Sequence, residues 1–149
     1  MPLTLPARLR RLLPGLATAN PFELYLIALI ILGGLPLLLG GPAPLSMAAL
    51  LSRFWSLLWG LELVVGGLTK LVGVLRGRVR YRIAGLWLLG FSSVAYALAI
   101  AASLTPGSLV ALGFILGFSV ACFAQIRHLH HAVRVLSQYQ ARVTNGGPP

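Results

Sequence analysis

The stretch LELVVGGLTKLVGVLRGRVRYRIAGLWLLGFSSVAYALAI, residues 61–100, decides the fold. Two apolar runs flank a short segment in which every second residue is a base: Arg76, Arg78, Arg80 and Arg82. With its continuation outside this stretch, each run is long enough for a helix that crosses the roughly 30 Å of bilayer hydrocarbon. The pattern therefore predicts two membrane-spanning helices, residues 54–75 and 83–104, joined by a tight basic turn.

The composition of the chain excludes a water-soluble domain. Of its 149 residues, 58% are apolar and 9% are charged, and the mean hydropathy is +0.90. In ordinary globular proteins about a quarter of the residues are charged. A soluble core cannot absorb so much apolar surface, whereas lipid can. Two further apolar runs, residues 22–39 and 109–126, complete a set of four predicted spans within residues 20–126.

The first predicted span begins with a strong helix-start signal. Asn20 can cap the helix, Pro21 suits its first position, and Glu23 can reach back to the cap as in a capping box. This interpretation gives Glu23 a structural role at the positive end of the helix dipole and no catalytic role. Pro36 removes the hydrogen bond to the carbonyl of Leu32, which predicts a bend in the last third of the span.

Both ends of the chain are basic segments outside the spans. Residues 1–19 have leucines at helical spacing beside arginines, which predicts a short amphipathic helix in the membrane interface or a flank that only fixes orientation. After the fourth span, residues 127–142 should continue as a helix with an apolar stripe opposite its basic residues. The last residues, 143–149, are expected to be disordered.

The distribution of charge predicts the orientation of the chain. Twelve bases against two acids give a net charge of +10, and eleven of the bases fall on one side of the four spans, with Arg53 alone on the other. The positive-inside rule then puts both termini in the cytoplasm. A usage rich in arginine, alanine, glycine and proline is typical of high-GC genomes, which predicts the cytoplasmic membrane of a bacterium.

The bases lie beside apolar spans, so anionic lipid headgroups are their expected partners and nucleic acid is not. The arginines of the turn are the predicted headgroup-binding residues: Arg76, Arg78, Arg80 and Arg82. Lys70, near the end of the second span, is expected to snorkel to the inner surface without a partner.

Glu62 is the acid predicted to lie well inside a span, where a carboxylate is costly enough to be a functional candidate. One interpretation is structural, with a hydrogen bond to Tyr96 at a similar depth in the third span. The other is a carboxylate that binds a proton or an ion. The structural interpretation is favoured because the chain has no second intramembrane acid with which to build a relay.

Small residues recur at helix-packing intervals, notably Gly66 in the second span and the pair Gly113 and Gly117 in the fourth. Their spacing permits contact within one bundle or between subunits, and both alternatives are open. His128 and His131 share a helix face and are candidate metal ligands, but a basic interfacial cluster is the favoured interpretation. No metal site and no cofactor are therefore predicted.

The segment NPFELYL, residues 20–26, followed by an apolar run and GGLP at 33–36, resembles the start of small multi-span membrane proteins encoded by phages of high-GC actinobacteria. The resemblance covers about residues 18–45. It implies a phage or prophage membrane protein, and such proteins include holin-like ones and many with no assigned role. The basic C-terminal tail fits a holin, whereas no span has the hydrophilic face of a pore.

The predicted fold is all-α: an integral membrane four-helix bundle with a short N-terminal amphipathic helix and a cytoplasmic extension of helix four. Enzyme chemistry is poorly supplied, because the chain lacks paired carboxylates, a nucleophile with a base and a glycine-rich phosphate loop. The leading prediction is a non-enzymatic, self-associating membrane protein, holin-like in phage lysis. The alternatives are an accessory or assembly subunit that binds a cytoplasmic or membrane protein, and a small transporter or ion-conducting protein centred on Glu62.

Overall fold

The computed structural model describes residues 19–41, 53–103 and 106–144. In these ranges the chain is all-helical and contains no strand; its helices are α1 (Pro21–Leu38), α2 (Arg53–Leu75), α3 (Val79–Ser103) and α4 (Pro106–Thr144). The predicted count of four apolar helices is confirmed. Residues 1–18 of the predicted amphipathic segment and residues 145–149 of the predicted disordered tail lie outside the described residues.

All four helices are long and apolar enough to cross a membrane. Their apolar segments are Pro21–Leu38, Arg53–Leu75, Val79–Ala102 and Leu109–Ala141, with mean hydropathies of 2.0, 1.6, 1.9 and 2.2. Large apolar side chains point outward, and Leu32, Phe91 and Phe114 are each more than half exposed. Contiguous surface of this kind is unfavourable in water and favourable in lipid. These are the properties of a membrane protein.

The helices pack in the order of the chain: α1 on α2, α2 on α3, and α3 on α4. Contacts between other pairs of helices are slight. The N-terminus of α1 and the α2–α3 turn lie at one end of the bundle, called the turn end here. The C-terminus of α1 and Arg53 at the start of α2 lie at the opposite end.

Glycines allow the close helix crossings. A Cβ at Gly34 would lie 2.9 Å from the carbonyl oxygen of Gly60, where α1 crosses α2. A Cβ at Gly85 would lie 2.6 Å from the backbone nitrogen of Lys70, where α2 crosses α3. Real Cβ atoms do not approach other atoms so closely, so both crossings depend on the absence of a side chain. The second crossing also holds Lys70 against α3.

The turn between α2 and α3 is a Schellman motif. Gly77 has a positive φ of 63°. The Arg78 N–H donates to the carbonyl of Gly73 at 2.9 Å, and the Gly77 N–H donates to that of Val74 at 3.2 Å. The connection between the two helices is therefore only three residues long, Arg76 to Arg78. The prediction that Arg80 and Arg82 also belong to the turn is wrong, because α3 already begins at Val79.

The start of α1 follows the predicted cap. The Asn20 side-chain oxygen accepts a hydrogen bond from the Phe22 N–H at 3.0 Å. The helix continues through Pro36, and Gly40, at a φ of 80°, follows its last turn. The bend expected at Pro36 stays a prediction.

The main core lies between α2, α3 and α4, where a cluster of side chains is buried: Leu63, Leu86, Leu89, Cys122 and Ile126. Leu129 also packs against this cluster, and beyond it α4 leaves the core. At 39 residues and about 1.5 Å per residue, α4 is about 58 Å long. Every side chain from His131 to Ala141 is exposed, so the end of α4 projects past the turn end of the bundle.

Candidate functional site

Four polar side chains, one from each helix, meet at the turn end of the bundle: Glu23, Lys70, Arg82 and Gln125. Arg82 Nη2 donates to both carboxylate oxygens of Glu23, at 3.0 and 2.9 Å. Gln125 Nε2 donates to Glu23 Oε1 at 3.1 Å. Lys70 Nζ lies 3.4 Å from the same oxygen and donates to Gln125 Oε1 at 3.2 Å. This four-helix polar cluster ties all four helices together.

The four-helix polar cluster is shielded from its surroundings. The exposed fractions of the side chains are 8% for Lys70, 13% for Glu23 and 26% for Arg82. Two cations face one carboxylate, so each charge is offset only while the helices keep this alignment. The cluster therefore specifies the relative register of the helices. Sliding α1, α2 or α3 would separate a shielded charge from its partner, and sliding α4 would break the hydrogen bonds of Gln125.

Two expectations from the sequence are corrected by the four-helix polar cluster. Glu23 was assigned to a capping box, but Asn20 caps α1 through Phe22, and the Glu23 carboxylate binds Arg82 and Gln125 instead. Lys70 was expected to need no partner, yet it is buried against Glu23 and Gln125. Helical spacing within one span cannot reveal such pairs, because Glu23 and Arg82 are 59 positions apart.

A signal for the four-helix polar cluster was present in the sequence. In a four-span chain with both ends on one side, the first turn of span one, the end of span two, the start of span three and the end of span four share a depth. Each of these places carries a polar side chain, in turn Glu23, Lys70, Arg82 and Gln125. Comparing residues at equal depth across spans would therefore have grouped the four members.

Glu62 and Tyr96 line one cleft between α2 and α3, toward the opposite end from the four-helix polar cluster. The cleft has a volume of about 100 Å³ and is lined by Trp55, Leu58, Trp59, Glu62, Ala95, Tyr96 and Ala99. The rings of Trp59 and Tyr96 stack, with centroids 4.1 Å apart. Glu62 and Tyr96 therefore lie near each other, as their similar depth in adjacent spans predicts. The hydrogen bond expected between them is not found among the described side chains.

The predicted packing glycines fall into two groups. A Cβ at Gly66 would lie 3.1 Å from the side chain of Leu89, so Gly66 is used for packing inside the chain. A Cβ at Gly113 or Gly117 would meet nothing within 4 Å. These two glycines form the floor of a shallow groove on the outside of α4, and its walls are apolar: Leu109, Val110, Phe114 and Phe118. We call this groove the α4 glycine face.

No family model, curated protein or solved structure matches the chain. Its function is therefore inferred from its own residues and their geometry, and the resemblance to phage membrane proteins stays a prediction.

The predicted headgroup-binding arginines differ in their surroundings. Arg76, Arg78 and Arg80 are exposed, whereas Arg82 is engaged by Glu23. Arg78 and Arg80 line a basic cleft at the turn end, together with Val79, Tyr81 and Ile83 of α3. His130 and Val133 of α4 form the other side of this cleft. The chain's two acids lie elsewhere, so this cleft retains its positive charge.

The histidines of α4 lie on the exposed part of the helix. His128 and His131 contribute to a basic surface together with Arg127, His130 and Arg134. His130 Nδ1 lies 3.1 Å from the carbonyl oxygen of Ile126. Cys122 is buried in the core, away from this surface. In the described ranges, no group of three or more His, Cys, Asp or Glu residues is placed to hold a metal ion.

Proposed function

We propose that the chain is a non-enzymatic multi-pass protein of a bacterial cytoplasmic membrane, with both termini inside, that self-associates through the α4 glycine face. The observation that carries this proposal is the open surface above Gly113 and Gly117. The glycines at the α1–α2 and α2–α3 crossings all have neighbouring helices. The pair in α4 has the same small-residue spacing, and no helix of the described ranges lies against it.

A bilayer gives little hydrophobic driving force for helix association, because lipid tails are as apolar as leucine. Helices associate there through close van der Waals packing, which small residues four positions apart make possible. Gly113 and Gly117 have this spacing. The flanking Leu109 and Phe114 are strongly exposed, so they supply walls into which a second helix can fit. A second copy of the same face is the simplest partner, since it is always available at the same depth.

The charge distribution of the folded chain supports the proposed orientation. Lys70, Arg82 and the exposed arginines of the turn lie at the turn end, together with the basic part of α4. Arg53 begins α2 at the opposite end. The positive-inside rule then favours a cytoplasmic turn end. The four-helix polar cluster sits at that end, where shielding its charges costs less than at the bilayer centre.

A holin-like role in phage lysis is the form of self-association that the resemblance implies. The polar groups at the turn end bind one another, so a lesion would have to form between copies rather than through one chain. Inducible expression with a membrane-potential dye tests this role. Loss of potential after accumulation supports it, and unchanged potential and viability at high expression would remove it.

A second candidate function is that of an accessory or assembly subunit that holds a partner protein at the inner surface. It is favoured by the projecting part of α4, where Val133, Leu136 and Tyr139 form an exposed apolar stripe beside Arg134. A photo-crosslinking residue at position 136 tests it in the native host. One discrete adduct with another protein supports the candidate, and adducts with only a second copy of the chain favour self-association.

Disulfide cross-linking in native membranes tests self-association. In a Cys122→Ser background, Gly117→Cys should form dimers on mild oxidation, because two copies would bring this position together. Gly33→Cys is the matched control, since Gly33 is also a helix glycine with nothing within 4 Å of its Cβ position, but on α1. Equal cross-linking at both positions would show random collision and contradict the proposed interface.

A further inference from the structure

The cleft between α2 and α3 contains a carboxylate that no base neutralises. Of the chain's two acids, Glu23 is bound by Lys70 and Arg82. Within residues 19–41, 53–103 and 106–144, no ion pair involves Glu62. Arg53 is on the same helix but nine positions earlier, about 13 Å along the axis. In a chain with a net charge of +10, this local excess of negative charge is exceptional.

The walls of the cleft are aromatic. Trp59 and Tyr96 stack against each other, and Trp55 lies one helical turn before Trp59. The faces of such rings carry partial negative charge and attract cations, most strongly where water is excluded. The indole Nε1 of Trp59 is buried and has no hydrogen-bond partner. Because this nitrogen has almost no accessible surface, a ligand in the cleft would contact the ring atoms and not the indole N–H.

Small residues leave space in front of these rings. Ala95 and Ala99 line the α3 side of the cleft, one turn apart, and neither is large enough to fill it. The cleft therefore combines a carboxylate and aromatic rings around an unfilled volume. Inorganic divalent cations are poor candidates, because Ca²⁺ and Mg²⁺ require about six oxygen ligands, and the cleft offers one carboxylate and one phenol.

We propose that this cleft binds a lipophilic organic cation of the quaternary ammonium type, with Glu62 as the counter-ion and the rings of Trp55, Trp59 and Tyr96 around the alkyl groups. Such a cation is weakly hydrated and partitions into the membrane, so it reaches a site that opens between helices. The inference rests on the membrane embedding of the proposed function and not on self-association.

Binding to the purified full chain in a neutral maltoside detergent tests the site. The probes are benzyltrimethylammonium and neopentylbenzene, its uncharged isostere, and binding is followed by calorimetry and by tryptophan fluorescence. The cation should bind at least about tenfold more tightly than the isostere, because only the cation gains from the carboxylate and the ring faces. In Glu62→Gln this preference should fall to about onefold, since the shape is retained and the charge is lost.

Two further variants keep the test decisive. Ala99→Leu fills the cleft while retaining Glu62, and it should abolish binding of both probes. Trp87→Phe removes an indole that stacks on Phe91 outside the cleft, and it should leave the affinity unchanged. Equal affinities for cation and isostere in the wild-type chain, or an undiminished preference in Glu62→Gln, would overturn the proposal. Two controls are measured on the same Glu62→Gln variant. Cysteine accessibility shows whether the chain is embedded in the membrane, and the oligomeric state shows whether it self-associates, so a failure of the binding site is distinguished from a failure of either property.

Discussion

Arg82 of α3 holds Glu23 of α1 through one nitrogen, Nη2, which lies 3.0 and 2.9 Å from the two carboxylate oxygens. The two helices are not consecutive, and apolar contact between them is slight. The ion pair is therefore a principal link between α1 and α3. Lys70 and Gln125 extend this link to α2 and α4. The carboxylate of Glu23 therefore contacts a side chain from each of the other three helices at the turn end.

Glu23→Gln should destabilise the fold, because it leaves Lys70 and Arg82 close together without a counter-charge. Breaking a fully buried ion pair costs about 3–5 kcal/mol. Since Arg82 is partly exposed, about 2 kcal/mol is expected here. The measurement is the thermal midpoint in detergent, with Glu62→Gln as the control that leaves the four-helix polar cluster intact. A Glu23→Gln variant that melts with the wild type would show that the cluster is incidental.

Gly85→Ala should separate α2 from α3 at the turn end. The added methyl would lie 2.6 Å from the backbone nitrogen of Lys70 and 2.7 Å from its Cβ. Overpacking of this kind costs about 1–3 kcal/mol. Gly33→Ala is the matched control, because its methyl would meet nothing within 4 Å, it lies outside the α4 glycine face, and alanine favours helix. Urea or thermal unfolding should rank the two variants in that order, and the reverse order would refute the α2–α3 crossing.

The turn between α2 and α3 is expected to face the cytoplasm. In a Cys122→Ser background, Val79→Cys should be labelled by a membrane-impermeant maleimide only after the cells are opened. Arg53→Cys, at the opposite end, should be labelled in intact cells. Labelling of position 79 from outside intact cells would contradict the proposed orientation, in which the basic turn lies on the cytoplasmic side of the membrane.

The basic cleft at the turn end should bind anionic lipid. Phosphatidylglycerol added to the detergent-purified chain should raise its thermal midpoint, because Arg78 and Arg80 gain a counter-charge. The Arg78→Gln, Arg80→Gln double variant should lose most of this increase while unfolding normally without lipid. Arg82→Gln should behave differently, with a lower midpoint in both conditions. An unchanged lipid response in the double variant would exclude these arginines as headgroup ligands.

The positions of the helices could be predicted from the sequence, but the side-chain contacts between helices could not. The lengths of the apolar runs predicted where the four helices lie, because run length is a signal within one span. The ion pair between Glu23 and Arg82 depends on how α1 and α3 are rotated about their axes. That rotation is set by crossings such as Gly34 on Gly60, and no local periodicity records it.

For the Glu62 cleft, too, the sequence predicted which residues are near each other but not how their side chains are arranged. Similar depth in adjacent spans placed Glu62 near Tyr96, as the structure has it. The expected hydrogen bond failed because the Tyr96 ring stacks on Trp59, 4.1 Å away. Trp59 lies near the start of α2, where an aromatic residue is typically an interfacial anchor. Only its rotation toward α3 makes it part of a cleft.

Counting subunits in lipid vesicles tests most directly whether the chain self-associates through the α4 glycine face. One fluorophore is attached per chain, and photobleaching steps are counted at a protein-to-lipid ratio low enough to exclude chance co-occupancy. The wild type should show two or more steps per spot above the random expectation, and so should Gly33→Ile. Gly113→Ile and Gly117→Ile should show single steps, because isoleucine would occupy the space that a second helix needs. Glycine-face variants that remain as associated as the wild type would contradict the proposed interface, and a wild type with single steps would contradict self-association itself.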